Sequence, residues 1–261
     1  MGKAGVPVEK RIFGEGSYLR PGFFEPTRCR NVLIDGVTIR NAPFWNVHPV
    51  LCNNVTVSNL TIDSRGPNTD GCDPESCRDV LIDSCFFNTG DDCIAVKSGR
   101  NGDGRRVNVP SENIVIPGCR MKNGHGGVAI GSEITGGVRN VFAEDCHLDS
   151  PDLHHALRLK DNAMRGGVLE HIYFRRIVVG KVAHAVLMID FNYEESAGGP
   201  FTPVVRDVRV EMVVSGKSRM PSTHKDSPTR RSTTWRCGIA ISETLPSPTS
   251  SRTSRASRSA M

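Results

Sequence analysis

The sequence predicts an all-β chain wound as a right-handed, single-stranded parallel β-helix, and three observations carry that prediction. One short phrase recurs seven times in the 261 residues, starting at Asn31, Asn54, Asp79, Asn113, Asn140, His171 and Asp207. Within each copy apolar residues alternate at positions two and four and again at seven and nine, around a pair that is polar or glycine in most copies. Alternation is the period of a strand, and the pair marks a bend. Hairpin signals, above all Asn-Gly turns between alternating strands, are too scarce for a sandwich or barrel.

The copies start 23, 25, 34, 27, 31 and 36 residues apart, room for a full coil each. After the two strands of the phrase a third apolar segment often follows: Cys93–Lys97, Val128–Gly131, Leu157–Lys160 and Val186–Ile189. A single coil cannot cover its own inward face, so the copies must stack with like strands paired in parallel. Position seven is Val37, Leu60, Cys85, Cys119, Cys146, Ile177 and Val213, apolar in every copy. It predicts an inward column in which cysteine serves as a small hydrophobe. Cys72 and Cys77, close together in a loop-rich stretch, leave a disulfide open. An odd total of nine cysteines without paired CxxC motifs argues against a zinc site.

With 38% hydrophobic and 23% charged residues the chain has the material for a real core. No apolar run approaches the roughly 18 residues that a bilayer span needs, so no membrane partner is expected. The net charge of +5 invites a nucleic-acid reading until it is located. Residues 219–261 hold seven Arg and one Lys against Asp226 and Glu243, which places +6 there and leaves −1 for everything before. No nucleic-acid partner is expected either. The division gives the expected organisation: residues 1–217 form a β-helical domain and residues 218–261 a Ser/Thr/Arg/Pro-rich disordered tail. A frame-shifted gene end is the favoured origin of that tail, because the codons of Met220-Pro221-Ser222 read one base earlier can encode Tyr-Ala-Leu. A basic interaction tail is the alternative.

Unusual residues gather after strand ends in successive coils: Asn68-Thr69-Asp70-Gly71, Thr89-Gly90-Asp91-Asp92, Asn123-Gly124-His125-Gly126, then Arg158-Leu159-Lys160. Asp91 and His125 both stand twelve residues beyond their phrase start, which predicts neighbouring rungs about 5 Å apart. Asp70 stands sixteen beyond its own, a difference that loop length absorbs. Arg158 and Lys160 alternate with Leu157 and Leu159, so both cations share an outer face. The predicted result is one surface patch with three carboxylates, an imidazole and two cations.

Each member has a plainer reading. Asp, Asn and Gly form ordinary turns, and cations alternating with leucines usually mark a solvated strand face. The adjacent Asp91-Asp92 pair near a third carboxylate is harder to read as a turn, since such crowding raises carboxyl pKa values and disfavours folding. Carboxylates flanked by cations suit cleavage of a glycosidic bond in an anionic sugar polymer. A protonated carboxylic acid donates to the leaving oxygen, a carboxylate activates water, and the cations hold the polymer's own carboxylates.

These four segments, in this order on a β-helical repeat, resemble the signature motifs of the polygalacturonases, glycoside hydrolase family 28, over about residues 18–217. The resemblance implies hydrolysis of α-1,4-galacturonosidic bonds in polygalacturonate or pectin oligosaccharides, by single displacement with inversion. It implies Asp91 as general acid, Asp70 and Asp92 as the pair that positions and activates water, and His125 as the group that tunes the acid's protonation. Asn68, Arg158 and Lys160 are the implied substrate-binding residues, the two cations beside the scissile bond. Tyr193, in Asn192-Tyr193-Glu194-Glu195, stands where the family uses a tyrosine about one coil later; its plainer reading is a partly buried core aromatic. The insertion-like stretch Ser98–Pro110, expected to wall off one end of the groove, together with Gly127–Glu133 looks like the exo-acting branch. No cofactor or metal is expected.

An extracellular or periplasmic location is implied by the resemblance, and a monomer is expected. Met1–Val8 lacks the apolar region of a signal peptide, and the chain is expected to start inside the repeat array with N-terminal coils missing. Three alternatives stay open. One is a hydrolase of the rhamnose-galacturonate backbone on the same fold. Another is a Ca²⁺-dependent pectate lyase, which the motif spacing does not favour. The third is a β-helical adhesin or sugar-binding module that uses the groove without turnover.

Overall fold

The computed structural model describes residues 6–215, apart from 11, 13, 17 and 195–197, together with 235–238. Its strands form three sheets, and every strand pairing is parallel. The first sheet takes one strand from each copy of the phrase: Arg30–Asp35, Asn53–Ser58, Arg78–Asp83, Ser111–Pro117, Val138–Glu144, Val168–Arg175 and Val204–Glu211, with Trp235–Gly238 added beyond the last. The second sheet takes the shorter strand after the bend, from Thr38–Arg40 to Val214–Ser215. The third holds Ile94–Val96, Gly124–Ile130, Leu153–Lys160 and Ala185–Asp190. Single parallel bridges continue it backwards through Cys72, Val47 and Phe24, so the third face also runs from coil to coil. The chain is a parallel β-helix, as the repeat predicts.

Register follows the phrase copy by copy. Val32, Val55, Val80, Ile114, Val141, Ile172 and Val208 are successive partners in the first sheet. At position seven, Leu60, Cys85, Cys119, Cys146, Ile177 and Val213 are all buried, and the three cysteines pack as small apolar groups. Val37 departs from the column with 44% exposure, because Thr38–Arg40 is the edge strand of its sheet and the first copy has a rung on one side only. Cys72 and Cys77 are not bridged: both are buried free thiols. Cys77 Sγ turns toward the coil below and donates to the Pro49 carbonyl at 3.1 Å, in a ladder where the Cys52 amide donates to Cys77 Sγ at 3.3 Å.

The first position of the phrase has a role that alternation does not reveal. Asn31, Asn54, Asp79, Asn113, Asn140, His171 and Asp207 all adopt left-handed backbone, with φ from 49° to 58°. The ladder skips each of them, pairing the residues on either side. Asn and Asp tolerate this conformation better than other side chains that carry a Cβ, and here they also bond along the stack. Asn54 Nδ2 donates to Asn31 Oδ1 at 2.8 Å, Asn113 Nδ2 to Asp79 Oδ1 at 2.8 Å, and Asn140 Nδ2 to Asn113 Oδ1 at 3.0 Å.

The stretch Ser98–Pro110 contains a short helix, Asn101–Val107. The Arg105 guanidinium lies 3.8 Å from the centre of the Phe201 ring and donates to the Met164 and Arg165 carbonyls. No described helix is long and apolar enough to cross a membrane. The expected tail falls outside the described residues apart from Trp235–Gly238, which pairs with Val208–Glu211.

Candidate active site

The third face brings the predicted carboxylates together. Asp70, Asp91 and Asp92 each have an oxygen within 4.8 Å of the others. Asp91 and His125 occupy neighbouring rungs, as their equal offsets require: the His125 amide donates to the Asp91 carbonyl at 3.2 Å and its Nδ1 lies 3.1 Å from Asp91 Oδ1. The longer offset of Asp70 is taken up by a loop in which Thr69 Oγ1 bonds to the Ser64 and Gly66 carbonyls, after which the Gly71 amide donates to the Asp92 carbonyl at 3.0 Å. Gly126 is the residue next to Asp92 on the coil above. A Cβ there would stand 2.7 Å from Asp92 Oδ1, so only glycine leaves the carboxylate its place.

The carboxylates differ in depth. Asp92 is fully buried and Asp70 nearly so, while the Asp91 side chain keeps 16% of its surface exposed. Asp92 accepts from Arg158 Nη1 at 3.2 Å and from Lys160 Nζ at 2.6 Å. Both cations are therefore buried partners of a carboxylate, and the plainer reading of a solvated strand face does not hold. The half-buried Tyr193 ring covers them, with the Arg158 guanidinium 5.2 Å and the Lys160 ammonium 5.1 Å from its centre. Arg158 Nε has no hydrogen-bond partner among the described residues, which leaves a buried donor available to a ligand. Asn68 sits at the rim, its Nδ2 3.5 Å from Asp91 Oδ2 and its Oδ1 accepting from Arg20 Nη2 at 2.8 Å.

Protons distribute themselves differently from the crowding argument. Burial pushes Asp70 up to about 7, with Asp91 and Asp92 adding to the rise against the pull of Lys97 and Lys160. Burial also raises Asp91, but the hydrogen bond from His125 and the charges of His125, Lys160 and Lys97 outweigh it and hold that carboxyl below its ordinary range. The same hydrogen bond raises His125. In the free protein the expected acidic proton thus rests on the imidazole side of the Asp91–His125 pair, and Asp70 is the carboxyl whose affinity is elevated.

Three residues of this cluster escape the sequence argument. Lys97 is buried, with Nζ 3.9 Å from Asp70 Oδ2, 3.3 Å from Glu133 Oε2 and 4.6 Å from the centre of the Trp45 ring. Burial opposes its charge, but Asp73, Glu133 and Asp70 outweigh that and raise its pKa well above the ordinary value. Asp73 is fully buried with neither oxygen hydrogen-bonded among the described residues, and burial pushes its carboxyl well up. Glu133 is held at about 2: burial acts to raise it, and Lys97, Arg165 and Lys160 prevail. One signal was present. Val96 and Leu159 both pair with Ile130, so Lys97 and Lys160, each one residue further on, belong to one column. The three acidic side chains are close enough to offer ligands to an ion, but Lys97, Arg158 and Lys160 already supply positive charge at that position.

Comparison with known proteins agrees with the resemblance. The family model "Glycosyl hydrolases family 28" matches residues 14–226. A probable polygalacturonase of Vitis vinifera is 34% identical over 205 residues, 77% of this chain and 41% of that protein. An endo-polygalacturonase of Pectobacterium carotovorum is 31% identical over 182 residues, 68% of this chain and 42% of that protein. Among solved structures, a hyperthermoactive exopolygalacturonase from Thermotoga maritima superimposes with a TM-score of 0.75 at 47% identity, covering 84% of this chain and 49% of that one. The chain thus spans less than half the length of these relatives.

Proposed function

Because the chain belongs to glycosyl hydrolases family 28, we propose that it hydrolyses the α-1,4-galacturonosidic bonds of polygalacturonate. The observation that carries this reading is the meeting of Asp70, Asp91 and Asp92 beside two cations on one face. The difference in depth supports the roles that the resemblance implies. Asp91, the exposed member, reaches the glycosidic oxygen and gives it a proton drawn from the pair with His125. An anionic sugar chain bound beside that pair adds negative charge and excludes water, which moves the proton toward the carboxyl. Asp70 and Asp92, deeper, hold a water. Its oxygen attacks the anomeric carbon as the bond to the leaving oxygen breaks, and one of the two takes its proton. A single displacement of this kind inverts the anomeric centre.

Arg158 and Lys160 hold the uronate carboxylate, with Tyr193 packed across both and Asn68 at the opposite rim. Exo action is supported by the exopolygalacturonase name of the Thermotoga maritima relative. It is also supported by the insertion helix, whose side is tied to the Tyr193 coil by Arg105 on Phe201 and by Arg100, 3.4 Å from Glu194. The proposed place of action is extracellular or periplasmic. Incubation with polygalacturonic acid followed by product sizing tests the proposal: monomer appears first with wild type, and Asp91→Asn loses release by about 10²- to 10⁴-fold. Equal release by both proteins removes Asp91 as the acid, and early mid-sized oligomers remove exo action.

A further inference from the structure

At the end of the third face away from Lys160, the first residues of three coils bring imidazoles into a stack. His125 and His154 lie face to face with centroids 4.8 Å apart and planes at 15°, and His184 follows 4.9 Å from His154 at 41°. Register builds the stack: Gly124 pairs with Leu153 and His155 with Ala185, which puts the three histidines on one column, and the His184 amide donates to the His154 carbonyl at 2.9 Å. Together with Arg65 and Asp152, whose own ion pair is 3.5 Å long, the three rings line an open cavity of about 390 Å³.

Position and chemistry both point to a ligand. The cavity shares His125 and Gly90 with the carboxylate cluster, so a sugar chain that crosses Asp91 and extends past His125 enters it. Along Leu153–Lys160, His154 stands four residues from Arg158 and six from Lys160, roughly 13 and 20 Å at about 3.3 Å per residue. The cavity is therefore separate from the place where Arg158 and Lys160 act. Stacking occupies ring faces and leaves ring nitrogens for hydrogen bonding. Arg65, with 53% of its side chain exposed, adds a cation at the rim whose carboxylate partner, Asp152, is itself exposed and easily exchanged.

We propose that this cavity is a second sugar subsite, in which Arg65 takes the carboxylate of a galacturonate unit beyond the bond being cut while the nitrogens of His154 and His184 hold its hydroxyls. This rests on the polygalacturonate reading above. The test compares digalacturonate with tetragalacturonate on the full chain as wild type, Arg65→Ala and His154→Ala, by titration calorimetry and by release of reducing ends. Each variant is expected to weaken tetragalacturonate binding about five- to tenfold and digalacturonate at least about threefold less. Equal losses on both lengths, or tetragalacturonate unaffected in Arg65→Ala, overturn the subsite; Arg65 is exposed enough that its replacement leaves the fold in place. If wild type shows the length-dependent binding but releases no reducing ends, the hydrolase reading fails and the subsite stands.

Discussion

Replacing Asp70 by Asn separates what this carboxylate does for the reaction from what it costs the fold. Its pKa rises from 3.8 to about 7 on folding, chiefly through burial. The folded state therefore binds the proton more tightly than the unfolded state, so this group's contribution to stability is greatest below pH 3.8 and is lost as pH climbs through about 7. At about 1.36 kcal/mol per unit the full loss is about 4 kcal/mol. Asn is nearly isosteric and cannot ionise, so Asp70→Asn escapes that loss. Lys97 keeps its closer partner, Glu133 at 3.3 Å, against 3.9 Å for Asp70. Urea unfolding at pH 4 and pH 8 is the assay. The two proteins should be alike at pH 4, with the variant more stable by about 2–4 kcal/mol at pH 8, while its release of reducing sugar falls about 10²- to 10⁴-fold. A variant no more stable than wild type at pH 8 would refute the claim that Asp70 is buried at the expense of the fold.

Removing the other side of the balance has the opposite sign. Lys97→Met leaves Asp70, Asp73 and Glu133 facing one another around an uncharged side chain, and should cost about 3–5 kcal/mol in urea unfolding at pH 7; a loss under about 1 kcal/mol would show that water reaches these groups. Asn113→Val puts a β-branched residue at φ 58° and removes the bonds to Asp79 and Asn140. About 2–3 kcal/mol is expected by thermal unfolding, with Asn113→Gly costing less than half as much; equal losses for both would mean that backbone conformation is not what selects Asn there.

The sequence displayed its strands because period two over seven copies is long-range information: Val55 predicts Val80 and Val80 predicts Ile114 by count alone. The same counting put His125 beside Asp91. It did not explain why each phrase opens on Asn, Asp or His, since a left-handed φ is invisible to hydrophobic alternation. Nor did it find Lys97 or Asp73, which look like the ends of unremarkable segments until the third sheet puts Lys97 in the column of Lys160 and burial holds Asp73 beside the charge of Asp70. Charge was legible as a cluster, but the balance was not. That Asp91 is held low and Asp70 raised depends on a 3.1 Å contact with His125 and on burial depth, and neither is written in spacing.

Asp70, the Asp91–Asp92 pair, His125 and Arg158 with Lys160 come from four consecutive turns of the solenoid, one contribution per turn. Three rung spacings at about 4.8 Å make the working strip only some 14 Å long on the axis. A stack of this kind melts from its extremities inward, each turn held chiefly by its neighbours. Fraying at either terminus can therefore proceed without disturbing the middle, and the proposed hydrolysis is tied to the persistence of these adjoining turns rather than to the integrity of the whole rod.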